Sequence, residues 1–150
     1  MENKSSKRGT MVTVFLSGCF DLTHTGHLDM LEFAAKQGDY LIVSVASDET
    51  LFAIKRKPII CEAERLRMIQ ALRCVDEAFI SRGPNNWDDF QGYLQNIKPD
   101  IWVLGSDDTF APQKEEIAKE LGIKIVYKHR YANSYSTTSL IEEIKKSNFQ

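Results

Sequence analysis

The chain has no apolar run approaching the roughly 20 residues that a membrane-crossing helix needs, so a membrane-spanning protein is not expected. It has no excess of positive charge. Nineteen Lys and Arg against 21 Asp and Glu leave a net charge of −2, which argues against a nucleic-acid binder held by a general basic field. Cysteine is sparse. Cys19, Cys61 and Cys74 are odd in number and widely spaced, which excludes a disulfide framework and fits a reducing, cytoplasmic setting. Histidine is as rare: His24, His27 and His129 are the three. Zinc takes three or four protein ligands, and Cys61 and Cys74 lack ligand-pair spacing, so no protein-held metal is expected. Residues 1–10 are polar, with Lys4, Lys7 and Arg8 but no apolar segment of signal-peptide type behind them. They read as a disordered leader to one domain, 11–150. No repeat, linker or low-complexity stretch interrupts it.

A chain of 150 residues with 43% hydrophobic content can bury a real core. Met11 to Leu16 is apolar and β-branched and reads as a buried strand. A helical pattern with Leu28, Leu31, Phe33 and Ala34 ends at Gly38. Between them lies Ser17 to His27, a strand-to-helix turn. A helix starting near Thr25 would direct free N–H groups and its positive dipole end toward the strand tip, which suits an anion. His24 and His27, three apart, share a face there. Gly26 removes a side chain where a phosphate would meet Cβ. The chemistry suggested is phosphate handling.

Strand and helix patterns then alternate. Tyr40 to Ala46 is a second strand, and Lys55-Arg56-Lys57-Pro58 a basic cluster ahead of a helix over 62–72. The cluster reads equally as a solvated loop or as a mobile lid that orders on polyphosphate. Val75 to Ile80 is a third strand. Gly83-Pro84-Asn85 breaks the chain, and a helix to Ile97 follows. Ile101 to Leu104 is a fourth strand, a charged helix runs 112–121, and Ile123 to Tyr127 is a fifth strand. The last helix is expected to start at Ser139 in a capping box with Glu142. The alternation gives an α/β domain on a parallel sheet, with ligands beyond the carboxyl ends of its strands.

Gly18-Cys19-Phe20-Asp21-Leu22-Thr23-His24-Thr25-Gly26-His27 after a first strand resembles the signature of the cytidylyltransferase-like nucleotidyltransferases. These include glycerol-3-phosphate and phosphocholine cytidylyltransferases, heptose-phosphate adenylyltransferases and archaeal-type FAD synthetases. The resemblance runs from about Val12 to Lys145 and includes a second signature, Ser136-Thr137-Thr138. It implies a Rossmann-like, doubly wound, five-stranded sheet ordered 3-2-1-4-5, with Gly18 to His27 facing Gly105 to Asp108 across a crevice. It also implies a homodimer and Mg²⁺ carried on the nucleotide.

The implied reaction joins a phosphorylated small molecule to a nucleoside monophosphate and releases pyrophosphate. His24, His27, Lys55 and Arg130 are the expected catalytic residues. Gly18, Cys19, Phe20, Asp21, Thr25, Gly26, Arg73, Gly105, Asp107, Asp108, Ser136, Thr137 and Thr138 are expected at the nucleotide, and Lys55, Lys57 and Phe90 at the acceptor. The plain alternatives are a helix cap for Ser136 to Thr138, a surface ion pair with Asp76 or Glu77 for Arg73, a turn for Asp107 and Asp108, and core for Phe90. Cys19 carries no mark of a nucleophile. Arg73 matches an arginine that reads cytosine in the family's CTP users, so CTP is the expected nucleotide. ATP, with a sugar phosphate or FMN-like acceptor, is the alternative, because the segments at 55–60 and 133–135 lean that way. A non-catalytic nucleotide-binding domain would need a damaged H-x-G-H, which is absent.

Overall fold

The computed structural model describes residues 10–83, 86–130 and 135–147. The leader expected at 1–10 lies outside them apart from Thr10, as do Pro84, Asn85, Asn133 and Ser134. The sheet grows from β2 (Tyr40–Ala46), in which every residue after Tyr40 is buried. Such a run with apolar residues on both faces needs cover on both sides. β1 (Thr13–Gly18) pairs with it in parallel, from Thr13 opposite Tyr40 to Gly18 opposite Val45. β3 (Glu77–Ser81) lies beyond β2, while β4 (Ile101–Gly105) and β5 (Lys124–Lys128) extend the other side. The order is 3-2-1-4-5 and every pairing is parallel, as the resemblance implied.

Six helices connect or follow the strands among the described residues: α1 (Thr25–Ala35), α2 (Asp48–Ile54), α3 (Glu62–Gln70), α4 (Trp87–Ile97), α5 (Ala111–Leu121) and α6 (Thr137–Lys146). Alternation along β1 divides the core. Val14 and Leu16 pack with Leu31 and Ala34 of α1 and Ile69 of α3. Phe15 packs on the other face with Phe90 and Leu94 of α4 and with Ile117 and Ala118 of α5. There Phe15, Phe90 and Trp102 meet at centroid distances of 5.6–6.0 Å. That spacing is within the favourable range for tilted aromatic pairs.

At the amino ends of the strands, backbone donors are closed by aspartates. Val12 N–H donates to Asp39, Thr13 N–H to Asp100 and Leu41 N–H to Asp76, at 2.7–2.8 Å. The carboxyl ends open into a cavity of about 350 Å³. It is bounded by Gly18 of β1, Ala46 of β2, Ser81 of β3, Gly105 of β4 and Lys128 of β5.

Candidate active site

The wall of the cavity begins in the turn from β1 to α1. Phe20 and Leu22 there have φ of +54° and +53°. Left-handed backbone at non-glycine residues costs roughly 1–3 kcal/mol each and persists where neighbours fix it. Three neighbours do so. Arg65 of α3, 1% exposed, donates through Nη1 to the carbonyls of Cys19 and Ala46, through Nε to Ile60 and through Nη2 to Asp48. Thr137 Oγ1 donates to the Asp21 carbonyl at 2.8 Å. The Asp21 carboxylate, 2% exposed, accepts from Ile59 N–H, Ile60 N–H and Arg56. Burial alone would raise that carboxyl, but the Ile59 amide, Arg56 and the Ile60 amide bring it below its ordinary value.

Asp21, expected at the nucleotide, lines the cavity, and its carboxylate oxygens meet the 56–60 segment, the one expected to order on polyphosphate.

His24 is the N-cap of α1. Its Nδ1 accepts from Gly26 N–H at 3.0 Å, and its own N–H donates to His27 Nδ1 at 3.3 Å. Two histidines thus build the reciprocal box that a Ser and a Glu usually make. Because both Nδ1 atoms accept, both rings carry their proton on Nε2. The rings stack at 3.9 Å, and the Phe20 ring stands edge-on to His27 at 5.4 Å. Burial, followed by His24, Lys55 and Arg130, pushes the His27 imidazolium down to about 3. Burial and Arg130 lower His24 as well. Both are therefore neutral donors at neutral pH, and the buried His24 Nε2 has no partner among the described residues.

Gly26 is needed here, though not for the reason expected. A Cβ would stand 2.6 Å from the Tyr135 carbonyl and 2.8 Å from the His24 ring, so protein rather than phosphate fills that space.

A second helix start, that of α6, shares the wall. Ser136 caps it by accepting from Ser139 N–H, and Ser139 Oγ accepts from Ser136 N–H. The box is therefore Ser136 with Ser139, three residues earlier than the expected Ser139 with Glu142. Thr137 and Thr138 line the cavity beside His24, His27, Lys55 and Arg130. Arg130 is half exposed and lies 3.4 Å from Asp107. Burial raises the Cys19 thiol against the pull of Lys55, Arg65, Lys114 and Arg56, which disfavours the thiolate.

The crevice between Gly18 to His27 and Gly105 to Asp108 exists as expected. Four expected site residues stand outside its wall: Thr25, Lys57, Arg73 and Ser136. Arg73 is exposed on the turn before β3. Asp76 ties that turn to the start of β2, the amino end of the sheet and the far side from the cavity. Phe90 touches the cavity but is 1% exposed and belongs to the core. Two buried cations near the site were given no role by the sequence pattern. Arg65 shares a helical face with Ile69, and Lys114 with Ile117 and Ala118. A cation four or three residues from a buried apolar residue was the available signal.

The cytidylyltransferase-like family model matches residues 15–143. The chain is 36% identical over 157 aligned positions to the FAD synthase of Methanothermobacter marburgensis, covering 99% of this chain and 95% of that protein. It is 35% identical over 136 positions to the bifunctional protein HldE of Helicobacter pylori, covering 89% of this chain but 28% of that longer protein. Among solved structures it resembles the lipopolysaccharide core biosynthesis protein of Thermoplasma volcanium. There the TM-score is 0.68 at 34% identity, over 84% of this chain and 99% of that one.

Proposed function

From the premise that this chain belongs to the cytidylyltransferase-like family and is a nucleotidyltransferase, we propose that it moves an adenylyl group from ATP to the phosphate of FMN. An acceptor phosphate oxygen attacks the α-phosphorus. The bond from that phosphorus to the β-bridging oxygen breaks, and pyrophosphate leaves with the electron pair. With a dianionic acceptor no proton has to move. The barrier is then mostly positioning and charge, and no covalent enzyme intermediate is needed.

The observation that carries this reading is the pair of neutral imidazoles locked at the start of α1. Their Nε2–H donors cost nothing to reorganise, and their hydrogen bonds strengthen as charge builds on the bridging oxygen. The free N–H groups at the starts of α1 and α6 add to the field at the same anion. Lys55 and Arg130 supply full charge from the rim. Mg²⁺, when bound, would neutralise the triphosphate. The Asp21 and Asp108 carboxylates are already engaged by protein donors, and the described residues hold no cluster of three ligands, so phosphate and water would carry the ion.

Two observations support ATP over CTP. The likeness to an FAD synthase runs along nearly the whole chain, and Arg73, the residue expected to read cytosine, lies away from the cavity. A sugar phosphate is the second acceptor to consider, favoured by the likeness to a lipopolysaccharide core biosynthesis protein. Pyrophosphate release from ATP and from CTP, with FMN, a sugar 1-phosphate, phosphocholine and glycerol 3-phosphate as acceptors, tests the reading. ATP with FMN should give the highest kcat/KM. Faster turnover with CTP would return the enzyme to the cytidylyl-transferring branch.

A further inference from the structure

The cavity passes from the α1 side of β1 to the side covered by α4 and α5, where its wall holds a buried cation. Lys114 is 7% exposed and lines the cavity. It occupies the stripe of α5 that Ile117 and Ala118 continue into the core. A lysine in such a place has lost most of its hydration and needs compensation. Its Nζ lies 2.7 Å from Asp108 Oδ2 and 3.4 Å from Ser17 Oγ, with the Trp102 ring 5.9 Å away. An ammonium has three protons to donate. Asp108 takes one, Ser17 Oγ takes a second weakly, and the third has no acceptor among the described residues. Asp108 is itself held, since its Oδ1 accepts from Phe110 N–H at 2.8 Å. The cation is thus fixed in direction with donor capacity left over, beside Phe110, whose ring is backed by Trp87 at 6.0 Å.

In-line displacement needs the attacking oxygen opposite the leaving pyrophosphate. The histidines and the start of α6 lie on the α1 side, so the attacker enters from the α5 side. We propose that Lys114, with Ser17 Oγ, holds the acceptor's phosphate and sets specificity for an acceptor whose flat apolar ring lies against Phe110. Lys114 here is a specificity-determining residue toward the second substrate, separate from the nucleotide contacts. The inference rests on the adenylyl-transfer reading above and adds which residue chooses the acceptor.

The test compares the full chain with Lys114→Met and Lys114→Arg in steady-state assays with ATP and FMN. Flavin fluorescence measures FMN against riboflavin, which lacks the phosphate. Loss of one charge-assisted contact should raise the KM for FMN roughly 10- to 100-fold in Lys114→Met. The KM for ATP should stay within about twofold, as expected when a contact to a single substrate is lost. The preference of the wild type for FMN over riboflavin should collapse in Lys114→Met and persist in part in Lys114→Arg. If Lys114→Met fails to fold, Ser17→Ala reads the same split with a smaller rise. A preference for FMN that survives in these variants, or KM values for both substrates rising together, would reduce Lys114 to a structural ion pair and overturn the proposal. Wild-type turnover of a sugar phosphate instead of FMN would sink the FMN reading alone. The same KM split on that acceptor then decides Lys114. No turnover with any phosphorylated acceptor ends both.

Discussion

The two ends of the sheet are built from opposite chemistry. At the amino end, Asp39, Asp76 and Asp100 accept from the amides of Val12, Leu41 and Thr13. At the carboxyl end, the cavity wall gathers donors: the His24 and His27 imidazoles, the start of α6 and the ammoniums of Lys55 and Lys114, with the buried His24 Nε2 lacking a partner among the described residues. A buried donor without a partner costs free energy. One end closes its donors on carboxylates, while the other turns its donors toward the cavity, as the proposed phosphate chemistry would need. Arg65 is the exception that explains how. It sits at the carboxyl end but gives its donors to carbonyls and to Asp48, and so holds the turn that carries the histidines.

The sharpest way to break the contrast is to remove a donor from the open end. His24→Ala and His27→Ala should each lower kcat by about 3–4 kcal/mol of transition-state stabilisation while changing ATP affinity far less. Turnover near wild type would remove that histidine from the chemistry.

The second largest effect should appear on acidification. The His27 imidazole is pushed down to about 3 in the folded chain and returns to about 6.5 when unfolded. Between those values the unfolded state binds the extra proton, so stability is complete above the upper value and falls as pH drops below it. The slope contributed is about 1.4 kcal/mol per pH unit, or roughly 2–3 kcal/mol between pH 6 and 4. Thermal melts across that window should show a shallower loss in His27→Gln than in wild type. Parallel curves would mean the ring is not held neutral by the fold.

The smallest effect belongs to the closed end. Asp76→Ala leaves Leu41 N–H without its carboxylate and should cost about 1–2 kcal/mol of stability, with kcat unchanged. Denaturant unfolding beside steady-state rates reads both. A fall in kcat would show that the two ends are coupled and would blur the contrast.

Much of this was legible because local pattern and tertiary role agree. Tyr40 to Ala46 reads as a strand because a central parallel strand must be apolar on both faces, and the structure starts and ends it at those residues. Gly18 to His27 reads as a strand-to-helix turn, and β1 and α1 flank it as expected. What was hidden depends on distant partners. Lys114 and Arg65 look like ordinary surface cations of charged helices until α5 and α3 are laid on the sheet. The hold of Asp21 on the 56–60 segment shows only once that segment folds against the turn. Arg73 shows the reverse case. Its neighbourhood matches a family motif, while its turn is tied to the end of the sheet away from the cavity.

Asp21 also joins distant parts of the chain at one turn. Its carboxylate holds residues 56–60, while its carbonyl accepts from Thr137, 116 positions further along the chain. Closing so long a loop costs conformational entropy, though the cost grows only slowly with length. The turn bearing His24 and His27 is thus a clasp fastened from both halves of the sequence.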